Sequence, residues 1–138
     1  MNVRVILASL AGAIVSFLLG WLVYGILLAG FYESNTNHFE GLMINPPNLI
    51  GIFLSGWAFS FLLAFIFDRW ANISEFVPGL VAAAIISFFI VVGYDIFFWA
   101  SMRLYGKKLL VVDVVTGTVF NALIGGVVAL VLGMKKKE

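Results

Sequence analysis

The sequence predicts an all-α membrane protein in which four transmembrane helices form an antiparallel bundle. Hydrophobic residues make up 63% of the 138 residues and charged residues only 11%, whereas a soluble domain averages roughly 45–50% apolar and about 25% charged residues. The apolar residues are gathered into four long stretches that do not alternate as barrel strands do. Backbone in hydrocarbon must satisfy its own hydrogen bonds, so each stretch is predicted to be a helix.

The four helices are expected to make up a single transmembrane domain over residues 1–138. A bilayer crossing needs about 20 apolar residues. The first stretch carries no charge from Val5 to Phe31, which is far longer than the roughly 7–15 residues of a signal-peptide core, so it is expected to remain as a helix. With flanking residues included, the predicted helices cover residues 4–32, 48–70, 75–104 and 109–134.

The distribution of lysine and arginine predicts the orientation. Four crossings place both termini on one side, together with Arg4, Arg69 and three C-terminal lysines, which are five of the eight Lys and Arg residues. The longest loop, residues 32–48, lies on the other side and contains neither residue type. Cytoplasmic loops are richer in Lys and Arg, so both termini are predicted to be cytoplasmic.

Small residues recur four positions apart on every helix. This spacing places them on one helix face, where two backbones can approach closely, and such contacts with interhelical hydrogen bonds hold helices together in lipid. The residues predicted to pack the helices are Gly12, Ser16, Gly56, Ser60, Gly79, Ser87, Asn121 and Gly125.

Helix four carries two further candidates for contacts between helices, an amide side chain and a second stripe of small residues. Its mid-span amide, Asn121, needs a hydrogen-bond partner in lipid, and the expected partners are Ser16, Ser60 or Ser87. A second stripe of small residues makes this helix the candidate for an outward interface with a second copy or with a larger membrane complex. That stripe consists of Thr118, Ala122 and Gly126.

A short internal repeat relates the two halves of the chain. The segment Ala13–Phe17 recurs with one change as Ala84–Phe88. Helix pairs one–two and three–four cross the membrane in the same directions, so a duplication would give a parallel two-hairpin repeat with an axis near the membrane normal. A chance match in so apolar a chain is the alternative.

Two aspartates are candidate functional groups, because carboxylates within a membrane are functional candidates by default. At roughly 1.5 Å per residue, a span that starts near Phe76 reaches Asp95 at the outer interface. There this residue is either an interfacial or structural group or a functional carboxylate. Asp113 precedes a stretch long enough for a full span and is either a helix cap or a functional carboxylate.

The same counting gathers several polar and aromatic residues at the outer end. Arg103 lies two turns from Asp95 on nearly the same face and is expected to reach toward it. A crevice with a few polar groups is the usual form of a ligand site. The candidate ligand-binding residues are therefore Trp21, Tyr24, Tyr94, Asp95, Arg103 and Asp113.

Several function classes are disfavoured by what the sequence contains. With no cysteine in the chain, thiol catalysis, disulfides and thiolate metal sites are excluded. A net charge of +1 does not favour nucleic acid. His38, flanked by Glu33 and Glu40, is read as part of a polar loop rather than as a metal site, since a lone histidine rarely makes one. No nucleotide-binding loop or nucleophile–base pair appears, so neither a cofactor nor a catalytic site is expected.

Two short motifs carry a family resemblance. The segment Gly20–Gly25 (GWLVYG), and the turn Tyr105–Lys108 (YGKK) leading to Asp113, resemble a bacterial family of small four-helix membrane proteins, the domain of unknown function 1761. In that family a tryptophan often stands where this chain has Val23. The resemblance implies a protein of the bacterial cytoplasmic (inner) membrane and no known activity. In size the chain is also similar to small multidrug exporters, but their essential glutamate in helix one has no counterpart here.

Three functions remain open from the sequence. The first is a non-enzymatic accessory subunit or small homo-oligomeric bundle in the lipid bilayer. The second is a binder or transporter of a small or lipophilic molecule at an outer-facing polar crevice. The third is a membrane enzyme that uses Asp95 and Asp113. A cavity that contains both aspartates would favour binding, and a collapsed interior would favour the scaffold.

Overall fold

The computed structural model describes residues 2–136, and the regular elements of this part are all helices. Helices α1 and α3 each continue into one π-helical turn, and a short helix, α2, follows α1 after a break at Leu28. The helices are α1 (Val3–Leu22, then π-helical Val23–Leu27), α2 (Ala29–Asn35), α3 (Leu49–Ile66, then π-helical Phe67–Ala71), α4 (Phe76–Ser101) and α5 (Lys107–Lys136).

Four segments are long and apolar enough to cross a membrane, namely Val3–Leu27, Leu49–Ala71, Phe76–Ser101 and Lys107–Met134. The predicted all-α fold with four spans is therefore confirmed, and the chain is a multi-pass membrane protein. Three predicted boundaries differ from the structure, one of them that of α4, which ends at Ser101 rather than at residue 104. The first span ends near Leu27 rather than at residue 32, because the backbone leaves helical geometry at Leu28. Helix α5 begins at Lys107, so Asp113 lies inside the helix and does not cap it.

The order of helix packing places α5 in the middle. Helix α4 packs against α5, α5 packs against α1, and α1 packs against α3. Because α5 has neighbours on two sides, its second small-residue stripe is also used within the chain. Ala122 is buried, and a methyl group added to Gly126 would lie 2.7 Å from the Phe76 ring. The prediction that this stripe forms an outward interface is therefore wrong.

The small residues lie where helices approach most closely. A methyl group added to Gly12 would lie 2.7 Å from Ser60 Oγ, and one added to Gly56 would lie 2.7 Å from Ser16 Oγ. On the other hairpin, a methyl group at Gly125 would overlap the side chain of Ala83. The residues before the two repeated segments, Gly12 and Ala83, thus both lie at the tight contact of their own hairpin.

Polar groups within the spans find partners other than those expected. The indole N–H of Trp57 donates to Ser9 Oγ at 3.0 Å, and Ser87 Oγ donates to the Ala84 carbonyl oxygen at 3.3 Å. Among the described residues, Asn121 makes none of the predicted hydrogen bonds to serine. A helical serine can satisfy its hydroxyl on the carbonyl of the preceding turn, so Ser87 does not require an amide from another helix.

The loop end, defined as the helix ends that carry residues 36–48 and 102–106, is held together by the backbone. Thr36 and Tyr105 form an antiparallel bridge. The Asn37 backbone N–H donates to the Leu104 carbonyl oxygen at 2.7 Å, and the Asn37 side-chain amide donates to the Arg103 carbonyl oxygen at 2.6 Å. These contacts bind the segment that follows α2 to the α4–α5 turn, next to both aspartates.

Candidate functional site

The two aspartates meet at the loop end of the α4–α5 hairpin. Ala83 faces Gly125, and Val91 faces Gly117 further along the same antiparallel register. Asp95 follows Ala83 by twelve residues, and Asp113 precedes Gly125 by twelve residues, so this register places them opposite each other. Their carboxyl groups are therefore neighbours across the tight contact between α4 and α5. The sequence therefore placed both residues at the right end of the helices, and the structure brings them together.

Asp95 is the more enclosed of the pair. Only 6% of its surface is exposed, so its carboxyl group faces the inside of the bundle. Its Oδ1 accepts a hydrogen bond from the Tyr105 hydroxyl at 3.2 Å. Its Oδ2 is buried and has no donor among the described residues. A buried carboxylate oxygen without a donor is costly, so this atom needs a proton or a ligand.

Asp113 is half-buried and accepts a hydrogen bond from the Tyr32 hydroxyl through its Oδ1. Tyr32 can reach it because the helix break at Leu28 separates α2 from α1. The ring of Tyr32 packs edge-on against Tyr24, with 5.5 Å between ring centroids. Tyr24 lies in the π-helical turn of α1, a local geometry that is frequent at functional sites.

These five residues, Asp95, Asp113, Tyr24, Tyr32 and Tyr105, form what we call the polar cluster. Burial raises the pKa of the Tyr105 hydroxyl to about 12, and the neighbouring Asp95 charge adds to this effect. Burial and the hydrogen bond to Asp113 likewise raise the pKa of Tyr32 above its ordinary value. Both hydroxyls are therefore protonated at neutral pH and can donate hydrogen bonds to the carboxyl groups.

Three of the six predicted ligand-binding residues, Tyr24, Asp95 and Asp113, come together in the polar cluster, and the other three do not. The Trp21 side chain is 67% exposed and that of Tyr94 is 64% exposed, with the Tyr94 ring stacked on Phe98. Arg103 is exposed and, among the described residues, makes no ion pair with Asp95. Its predicted reach toward Asp95 is wrong, because α4 ends at Ser101 and Arg103 lies in the turn.

Tyr32 and Tyr105 are cluster residues that the sequence-based site did not include. Tyr32 follows Tyr24 by eight residues, about two helical turns on one face, which is the signal that could have connected them. Tyr105 reaches back over Asp95 because the turn is folded onto residues 36 and 37. No local pattern in the sequence predicts that contact.

The two lysine side chains near the loop end lie over aromatic rings. Lys107 Nζ lies 5.7 Å from the Trp99 ring centroid, and Lys108 Nζ lies 5.5 Å from the Phe31 ring centroid. In the described part of the chain, the ion pair is that between Arg4 and Asp68, at the opposite end of the helices. The aspartate pair therefore has hydroxyl donors around it, and no cationic side chain in the described part of the chain is paired with it.

A groove between α1 and α3 leads to the cluster from the side. It encloses a cavity of about 730 Å³ and is lined by apolar, aromatic and small residues, among them Gly20, Trp21, Tyr24, Ile52 and Phe120. We call it the lateral groove. Neither aspartate lines it, so this groove does not meet the expectation of a cavity that contains both aspartates. Tyr24, however, both lines the groove and packs against Tyr32. Tyr24 is thus the link between the groove and the polar cluster.

Candidate metal ligands are few in this structure. Among the described residues, no three His, Asp or Glu side chains lie close enough to hold a metal ion. His38 Nε2 lies 3.2 Å from the backbone oxygen of Glu33. The carboxyl pair and the tyrosine hydroxyls around it are therefore considered for an organic ligand.

Comparisons of the chain with protein families, with curated proteins and with solved structures give no match. The resemblance to the domain of unknown function 1761 stays a prediction, and the function has to be argued from the site.

Proposed function

We propose that this protein is a non-enzymatic membrane protein that binds a small amphiphilic molecule, with the alkyl chain in the lateral groove and the head group at the polar cluster. The observation that carries the proposal is the position of Tyr24, which lines the groove and packs against Tyr32 of the cluster. A site of this kind combines apolar walls with a few convergent polar groups, which is the usual form of a small-molecule site.

The groove suits an alkyl chain because of its place in the fold. Its walls belong mainly to the first two membrane spans, where the surrounding solvent is hydrocarbon. Small residues on α1, Ser16 and Gly20, leave the space, and the aromatic ring of Phe120 closes its inner side. An alkyl chain fills such a space without leaving polar groups unsatisfied.

The cluster suits a head group that carries positive charge or donates hydrogen bonds. It offers carboxyl oxygens, one of which is buried without a donor. The nearest lysines are engaged with aromatic rings rather than with the carboxyl pair. An anionic head group would be repelled by two carboxyl groups, so the proposal commits to a cationic or hydrogen-bond-donating amphiphile.

A photoreactive single-chain amphiphile tests this proposal in the purified, reconstituted protein. Wild-type protein should be labelled on α1 and α3, and Gly20→Leu should lose this labelling because the side chain would fill the groove. A methyl group at Gly20 would lie 3.6 Å from the Phe120 ring, an ordinary contact, so the fold should survive. The matched control is Gly93→Leu, since Gly93 on α4 faces open space. Equal labelling of wild type and Gly20→Leu at the groove would refute the proposal.

The scaffold function remains the second candidate because of how α4 packs. Helix α4 packs mainly against α5, and several large side chains on its other faces are exposed, Phe89 at 70% among them. Such a face contacts either lipid or a partner helix. Measuring the mass of the protein–lipid complex decides between them, since a monomer would argue against a homo-oligomer. Catalysis by Asp95 and Asp113 stays an untested prediction.

We also propose a location and an orientation. The family resemblance supports the bacterial cytoplasmic membrane, and the Lys and Arg distribution supports cytoplasmic termini. In this orientation the loop end, with the polar cluster, faces the outside of the cell.

A further inference from the structure

We propose that Asp95 and Asp113 share one proton in the free protein and release it when a lipophilic cation binds, so that one cation is exchanged for one proton. This inference rests on the proposed function and specifies its ligand class as a monovalent cationic amphiphile. Three features of the site carry it: the helix register that places the two carboxyl groups opposite each other, the enclosure of Asp95, and the surrounding set of neutral donors.

The register that places the two carboxyl groups opposite each other favours a shared proton. Two neighbouring carboxylates repel each other and cannot donate to each other. Asp95 is only 6% exposed, and its Oδ2 is buried. If this oxygen were ionised, it would have no hydrogen-bond donor among the described residues. One proton between the pair turns the repulsion into a hydrogen bond.

The neighbours of the pair supply donors but no positive charge. Tyr32 from α2 donates to Asp113, and Tyr105 from the turn donates to Asp95. Tyr24 from α1 lies behind Tyr32. Hydroxyl donors of this kind can support a single negative charge shared by the pair. A second negative charge in the same place needs a cation.

None of the described charged side chains near the loop end pairs with the two carboxyl groups, so a cationic ligand can take the position beside them. Lys107 and Lys108 lie over the rings of Trp99 and Phe31. Arg103, Glu33 and Glu40 are exposed. The lateral groove borders the polar cluster at Tyr24, whose aromatic face is a favourable neighbour for a cationic head group.

The exchange conserves the charge of the site. Before binding, two carboxyl groups with one proton carry a charge of −1. On binding, the O–H bond of the protonated carboxyl group breaks and its proton passes to water at the loop end. Two carboxylates and one monovalent cation again give −1. No net charge is added to a poorly solvated region, which is the condition under which such a site is stable.

The test uses the full chain in bilayer discs of zwitterionic phosphatidylcholine. The probe is dodecyltrimethylammonium, which is permanently charged and has no ionisable proton of its own. In weakly buffered solution with a pH-sensitive dye, each bound cation should release about one proton. Its apparent affinity should rise by up to about tenfold per pH unit while the pair holds its proton. Dodecyl maltoside, an uncharged amphiphile of equal chain length, should release none.

Two variants assign the source of the proton. Asp113→Asn leaves one carboxylate and should abolish the release, whereas Glu33→Gln removes an exposed carboxylate at the same end and should leave it unchanged. Cation binding without proton release and without pH dependence would overturn this inference and leave the proposed function intact. Failure of the cation to bind at any pH would overturn both. If Asp113→Asn does not fold, the pH dependence of wild-type binding still decides the question.

Discussion

The contact between α4 and α5 at Gly125 determines whether the two aspartates can meet, and it predicts the effect of a single methyl group. A methyl group added to Gly125 would lie 2.9 Å from the Gly79 carbonyl oxygen and would overlap the Ala83 side chain, whereas ordinary contacts begin at 3.4 Å. The helices would have to move apart by at least half an ångström. Overpacking of this kind costs about 1–3 kcal/mol, so Gly125→Ala should destabilise the fold.

The matched control is Gly93→Ala on α4. A methyl group at Gly93 would meet no atom within 4 Å. Both substitutions replace a helical glycine by alanine, so the gain of about 1 kcal/mol in helix propensity is common to them. The free energies of unfolding of the two variants should differ by about 1–3 kcal/mol, with Gly125→Ala the less stable.

Sodium dodecyl sulphate-driven unfolding in mixed micelles, followed by circular dichroism, measures this difference. Each 1.4 kcal/mol changes the unfolding equilibrium constant about tenfold, so the expected effect is well above the scatter of such titrations. Equal unfolding free energies for Gly125→Ala and Gly93→Ala would show that α4 and α5 do not approach closely at this residue. The antiparallel register that places the aspartates opposite each other would then be wrong as well.

Two further predictions concern the loop end. The pKa of Tyr105 is 10.0 in the unfolded chain and about 12 in the folded chain. The stability that the protonated hydroxyl gives to the fold is therefore complete below pH 10 and is lost as the pH rises toward 12. Unfolding titrations at a series of pH values should therefore show that Tyr105→Phe loses less stability than wild type between pH 10 and 12. Identical curves would contradict a raised pKa for the half-buried Tyr105 hydroxyl. Cysteines introduced at Asn37 and at Lys136 should react with an impermeant reagent from opposite sides of the membrane, with Asn37 outside. Labelling at Asn37 only after permeabilisation would reverse the proposed orientation.

Much of the fold follows from the fact that the solvent around the helices is hydrocarbon. A backbone in hydrocarbon has only its own helix to bond with, so the four apolar stretches predicted four spans correctly. Boundaries were less predictable, because hydropathy does not register the break at Leu28 or the early start of α5 at Lys107. Because α5 is already helical from Lys107, Asp113 is an internal residue of this helix and does not cap it.

The candidate site was predictable only in part. Depth along each helix could be counted from the sequence, which placed Tyr24, Asp95 and Asp113 at one end. Which side chains face each other depends on helix rotation and register, and these follow from the tight contacts at Gly79 and Gly125. An outward face was assigned to the second stripe of α5 because the sequence does not reveal that α5 has two neighbours.

The sequence by itself determined the number of spans, the end of the molecule at which polar groups collect, and the small residues at which helices approach closely. Hydrocarbon as a solvent imposes these features one helix at a time. The tertiary structure alone decided that Asp95 lies opposite Asp113, that Tyr32 and Tyr105 donate hydrogen bonds to them, and that Arg103 does not. Each of these contacts joins residues from separate elements, and their distance depends on a packing register that no single helix contains.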